Sequence, residues 1–139
     1  MEFLTILEIV YLLLAKDVFD KKKGGNDMPI LINDIMQEFA HSMRLLFGDS
    51  LSHIVVYGSY ARGDYTDNSD VDVMILVRIP ESRIREYTDK VADCAFEYLM
   101  KYGVDISPGV KNEEHFEYWK DNLPYYRNVR NEGVEIIAG

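Results

Sequence analysis

The sequence predicts an α/β (α+β) domain with a small mixed β-sheet flanked by helices. Two observations point there. Short β-branched runs, Ile54–Tyr57 and Val71–Val77, are separated by stretches whose apolar residues recur every three or four positions. Strand-like and helix-like segments also interleave along the chain instead of separating into blocks. With 139 residues there is room for one ordinary domain with a real core. A hydrophobic share of 47% beside 28% charged residues is a folded, not a disordered, composition.

Taken in order, Phe3 to Ala15 is apolar but too short for a bilayer, which needs about 20 residues. No positive segment precedes it, as a secretion signal would require. One reading is a surface helix on the domain. Another starts from Lys21-Lys22-Lys23-Gly24-Gly25, whose codons can spell a purine-rich ribosome-binding sequence just ahead of Met28. Residues 1–27 are then a translated leader, and the domain proper is 28–139.

Ile32, Ile35, Met36, Phe39, Met43 and Leu46 form one helical face, with Gly48 as a C-cap. Ile54–Tyr57 is a buried strand ended by Gly58. Residues 58–70 are rich in Gly, Asp and Ser and form a long functional loop with room for one helical turn. Val71–Val77 is the second strand, closed by Pro80. A second amphipathic helix carries Ile84, Tyr87, Val91, Cys94, Tyr98 and Leu99 on its core face and stops at Gly103. Val104-Asp105-Ile106 is a short third strand ahead of Ser107-Pro108-Gly109. Phe116, Trp119 and Leu123 share a helical face, a further helix runs from Pro124 to Gly133, and Val134–Ala138 forms a last strand.

Charge and cysteine content exclude several functions. Fifteen basic against 24 acidic residues leave a net charge of −9, the wrong sign for gripping long nucleic acid. One cysteine rules out an internal disulfide framework and a cysteine-based zinc site, and the cytosol is the expected compartment. No span suits a membrane anchor. Cys94 reads as a buried small hydrophobe. His41, His53 and His115 are scattered, without a metal-ligand spacing, and read as structural or surface residues.

The chemistry concentrates in residues 58–72. Gly58-Ser59 directly follows a strand, where glycine permits a sharp turn and close approach of a ligand. Ser59 can cap the next turn and leave N–H groups for a phosphate; a plain strand-ending turn has the same sequence. Asp70 and Asp72 alternate on one face of a strand start. Such a pair suits a hard cation such as Mg²⁺, or is simply solvated. Arg62 can contact an anion or pair with Asp64 or Asp67. Tyr60 and Tyr65 flank the loop, either packing or offering a stacking surface.

The spacing Gly58-Ser59, ten residues, Asp70-x-Asp72 between two strands resembles the nucleotidyltransferase signature of the DNA polymerase beta superfamily. Gly58-Ser59-x-Ala61-Arg62-Gly63 with Ser69-Asp70-x-Asp72 looks like its minimal, single-domain (MNT) branch, which includes antitoxins that pair with HEPN toxins. The likeness covers roughly residues 30–137. The tail Pro124-Tyr125-Tyr126-Arg127-Asn128-Val129-x-x-Glu132-Gly133 is similar to the ends of such proteins. The resemblance implies that Asp70 and Asp72 hold metal, with two Mg²⁺ ions expected, and that a third carboxylate joins them. Asp105, set in an apolar segment, matches best and would also take the acceptor's proton. It implies that Gly58, Ser59 and Arg62 bind the phosphates of ATP. AMP would pass to a hydroxyl, foremost a tyrosine of a cognate HEPN toxin. An antibiotic hydroxyl is an alternative acceptor, and toxin binding without catalysis an alternative function. The domain has nothing left over to hold a nucleic-acid acceptor, so a partner protein, a second subunit or a small molecule must complete the site.

Overall fold

The computed structural model describes residues 30–136. The apolar run Phe3–Ala15, the leader reading of 1–27 and the end of the last expected strand lie outside them. Helix α1 (Ile30–Phe47) leads through a short 3-10 turn into strand β1 (Leu51–Tyr57). A single helical turn, α2 (Ser59–Arg62), precedes strand β2 (Val71–Val77). Helix α3 (Glu81–Tyr102) connects to strand β3 (Ile106–Asn112). Helices α4 (Glu113–Trp119) and α5 (Pro124–Glu132) and strand β4 (Val134–Ile136) follow.

The sheet order is β3-β2-β1-β4. β1 runs antiparallel to β2 and β4, whereas β2 and β3 are parallel. A parallel pair needs a long crossover, and the 22 residues of α3 provide it. The expected mixed sheet with flanking helices is therefore present.

β2 sits inside the sheet with helices on both faces, which explains its nearly unbroken apolar run. Val71, Val73, Ile75 and Val77 join Ile54 and Val56 against α1 (Ile35, Met36, Phe39, Met43) and α3 (Ile84, Val91, Tyr98). Met74 and Leu76 point the other way, onto Phe116 of α4 and Tyr126 and Val129 of α5. Asp72 is the one polar residue of β2 and belongs to this second, thinner face. Helices α1 and α3 are tied at their rim, where the Tyr102 hydroxyl donates to Glu38 at 2.7 Å and Ser42 meets the Tyr98 hydroxyl at 3.0 Å.

Several expectations need correction. The third strand is not Val104–Ile106 but Ile106–Asn112, and it runs straight through Ser107-Pro108-Gly109. Proline lacks a donor, but β3 is an edge strand and tolerates it. Asp105 thus stands just ahead of the strand, not within it. β1 begins three residues earlier than expected, with its register interrupted between Leu51 and His53. On α3 the face passes through Ala95 and Tyr98 and leaves Leu99 exposed. Cys94 is half-buried against the core, not sealed in it. Helix α4 stops at Trp119, and Leu123 caps α5 instead of extending the Phe116 face.

Phe39 is fully buried, whereas Leu45 on the same helix is 74% exposed. Phe39→Ala should therefore cost about 3–5 kcal/mol. Leu45→Ala should stay within about 0.5 kcal/mol. Urea unfolding of both variants checks this; similar losses would contradict the placement of the core.

Candidate active site

Tyr57 at the end of β1 pairs across the sheet with Asp72. Gly58 then turns the chain away with φ 73°. A Cβ built on Gly58 would stand 2.3 Å from the Asp72 Oδ2 atom. Glycine is required here twice, by the left-handed backbone and by the carboxylate lying on it. The Gly58 carbonyl accepts from the amides of Ala61 (3.1 Å) and Arg62 (3.0 Å), so α2 winds directly off the strand. The amides of Ser59 and Tyr60 open that turn and have no acceptor within it.

The expected loop with one helical turn is thus present. Tyr60 is buried and stacks on Tyr65, with centroids 4.7 Å apart and planes 7° from parallel. The two rings occupy each other. Further along, the Thr66 amide donates to Ser69 Oγ at 2.8 Å and the Ser69 amide to the Thr66 carbonyl at 3.0 Å. This turn delivers the chain to Asp70.

Asp70 immediately precedes β2 and Asp105 immediately precedes β3. The Val71 amide donates to the Asp105 carbonyl at 2.8 Å, and the parallel register sets Val71 beside Ile106 and Asp72 beside Ser107. Alternation then turns Asp70, Asp72 and Asp105 to one face, away from the α1–α3 core. Desolvation, the Asp70 charge and a hydrogen bond to Asp70 raise the Asp105 carboxyl above its usual range. Burial and the Asp70 charge raise Asp72; Arg62 opposes this and Glu132 adds to it.

Among the described residues no three His, Cys, Asp or Glu side chains are gathered closely enough to bind a metal as they stand. The donor chemistry nonetheless fits a hard divalent cation. All three groups are carboxylates, and Asp72 and Asp105 are both pushed up by the like charge of Asp70, a repulsion that a cation relieves.

Arg62 donates from Nε to Asp64 Oδ2 at 3.2 Å and from Nη1 to Glu132 Oε2 at 2.7 Å. One partner, Asp64, is among the two expected acids. The other, Glu132, is not, and its only sequence signal is its place in the similar tail. Glu132 closes helix α5, whose end lies tight on β1: a Cβ on Gly133 would stand 2.4 Å from Val55 Cγ1. At the other end of α5, the Tyr125 and Tyr57 hydroxyls meet at 2.8 Å. Burial, followed by this bond, pushes Tyr57 far above the usual phenol range, so it stays protonated. Two of the histidines have side-chain partners, His53 with Glu135 at 2.5 Å and His115 with the Tyr126 hydroxyl at 3.0 Å.

Two predictions follow from this geometry. Gly58→Ala should displace Asp72 and destabilise the fold by about 1–3 kcal/mol. Unfolding of this variant beside Gly103→Ala, a left-handed glycine whose Cβ would meet nothing within 4 Å, isolates the clash; equal losses would refute it. The carboxylates give a pH effect. Raised folded-state values mean that the native chain holds protons on Asp72 and Asp105 more tightly than the unfolded chain. Stability therefore falls as pH rises through and above the ordinary carboxylate range. Asp70→Asn removes the repelling charge, so in a chelator it should raise Tm at neutral pH, with the gain shrinking towards pH 4. A gain that persists unchanged at acid pH would contradict this.

The comparisons with known proteins agree with this geometry. The family model described as "Nucleotidyltransferase domain" matches residues 36–133. Two Methanocaldococcus jannaschii proteins are similar over most of their length. "Putative protein adenylyltransferase MJ0604" is 37% identical over 98 residues, 70% of this chain and 90% of that one. "Putative protein adenylyltransferase MJ0141" is 35% identical over 105 residues, 76% and 98%. The crystal structure of a "putative nucleotidyltransferase" from Sulfolobus solfataricus shares the fold, with TM-score 0.53, 21% identity and coverage of 76% and 79%. Among the described residues no helix is long and apolar enough to cross a membrane. The family model spans residues 36–133, well over half of the chain, and on that ground the chain belongs to the nucleotidyltransferase domain family.

Proposed function

We propose that the chain transfers AMP from ATP, with Mg²⁺, to the hydroxyl of a tyrosine on a cognate HEPN-family toxin, and so acts as its antitoxin. The observation that carries the reading is the Asp72 carboxylate lying on Gly58 while Asp70 and Asp105 face the same way. That arrangement sets hard oxygen donors beside a turn with unused backbone amides. The names of the two archaeal relatives support protein as the acceptor and AMP as the group moved. The toxin partner rests on the likeness to minimal single-domain antitoxins, and a net charge of −9 suits a basic partner face.

Asp70, Asp72 and Asp105 would hold the metal, which when bound neutralises charge on the attacking and leaving oxygens of an in-line displacement. The chain's own groups do the rest. Ser59 and the amides of Ser59 and Tyr60 bind the outer phosphates, and Arg62 adds N–H donors. Asp105 accepts the proton of the attacking hydroxyl. The acceptor oxygen bonds to the α-phosphorus as the bond to pyrophosphate breaks. The site mainly positions these groups and neutralises charge.

Intact mass spectrometry of the toxin after incubation with this protein, ATP and Mg²⁺ tests the reading. A gain of one or more AMP units on tyrosine is expected, and Asp72→Asn should slow it by about 10²–10³-fold. A stable complex without any mass gain would replace transferase with binding antitoxin.

A further inference from the structure

Helix α5 lies outside the Gly-Ser and Asp-x-Asp segments, yet it reaches the site at both ends. Tyr125 near its start bonds to Tyr57, the cross-strand neighbour of Asp72. Glu132 at its last turn bonds to Arg62. The Glu132 carboxylate is the more buried member of that pair, 22% exposed against 48% for the arginine side chain. It is therefore the fixed partner and Arg62 the held one. Gly133 fixes it further, since any side chain there would strike Val55 and the Val129 carbonyl.

A guanidinium has five N–H groups in a rigid plane. Asp64 takes the Nε proton and Glu132 one Nη1 proton, which leaves three N–H donors on the Nη edge. The Arg62 amide donates to the Gly58 carbonyl at 3.0 Å, and Gly58 lies against the Asp72 carboxylate, which places this arginine at the end of a turn that starts beside the carboxylate face. Without Glu132, Arg62 keeps only Asp64, an exposed partner two residues away that cannot fix the direction of so long a side chain.

We infer that Glu132 is a positioning residue for nucleotide binding: it holds Arg62 across the mouth of the site with its free N–H edge towards the phosphates. The inference rests on the nucleotidyltransferase reading and adds to it a residue about seventy positions from the motif. Glu132 does not touch the reacting atoms; it acts through Arg62.

A double-mutant cycle on ATP binding and transfer tests this in the full chain. Arg62→Ala and Glu132→Ala should each raise KM for ATP about tenfold, the scale of one charge-assisted hydrogen bond, with a smaller change in kcat. The combined variant should be no worse than Arg62→Ala alone. Glu132→Asp, which keeps the charge, should recover part of the loss. Thermal unfolding of each variant accompanies the cycle. Additive losses in KM, or a Glu132→Ala effect that tracks Tm and is kept in the Arg62→Ala background, would overturn the positioning role while leaving the transferase reading intact. Failure of the unaltered protein to bind ATP with Mg²⁺ would overturn both.

Discussion

Val71 donates its amide proton to the Asp105 carbonyl at 2.8 Å, and that bond starts the parallel pairing of β2 with β3. Every feature of the site inherits this register. Asp70 and Asp105 stand side by side because each ends the segment leading into its strand. Asp72 joins them because side chains alternate. A slip of one residue would turn Asp72 into the core between α1 and the sheet and move Val73 and Ile75 to the thinner face under α4 and α5. The apolar residues on the two faces of β2 thus do more than stabilise the domain. They decide which way a cluster of like charges faces.

That cluster is electrostatically uncomfortable, and the surrounding structure makes it tolerable. Gly58 lets a backbone lie against Asp72 where any side chain would collide. Among the described residues Arg62 brings an opposing charge to Asp72, itself held by Asp64 and Glu132. The sheet separates the two tasks. Its α1–α3 face carries most of the core, while the thinner face under α4 and α5 opens at one end onto the carboxylates. On the proposed function, acids held in mutual repulsion suit a cation and a polyphosphate together, since each offsets a charge that the other brings.

What the sequence made legible depended on how local each signal was. β2 could be read whole because a strand buried on both faces is an unbroken apolar run. Gly58-Ser59 and Asp70-x-Asp72 were readable because one turn and one alternation define them. β3 was cut short because Pro108 and Gly109 usually mark turns, and nothing nearby in the chain reveals that an edge position excuses them. Trp119 and Leu123 keep a helical spacing with Phe116, but the helix ends at Trp119. Glu132 and Tyr125 were legible only as part of the similar tail, without a place at the site, for a different reason. Their partners Arg62 and Tyr57 are 70 and 68 residues away, and only the folded chain brings them together.

On the proposed function, the β2–β3 register builds a cation-dependent nucleotide site from Asp70, Asp72 and Asp105. Calorimetric titration of Mg²⁺ into the protein with a non-hydrolysable ATP analogue tests it most directly, with Asp72→Asn and Asp105→Asn alongside. Saturable binding by the unaltered protein is expected, strongly weakened in both variants while their folds persist. Undiminished binding in the variants, or none in the unaltered protein, would contradict it.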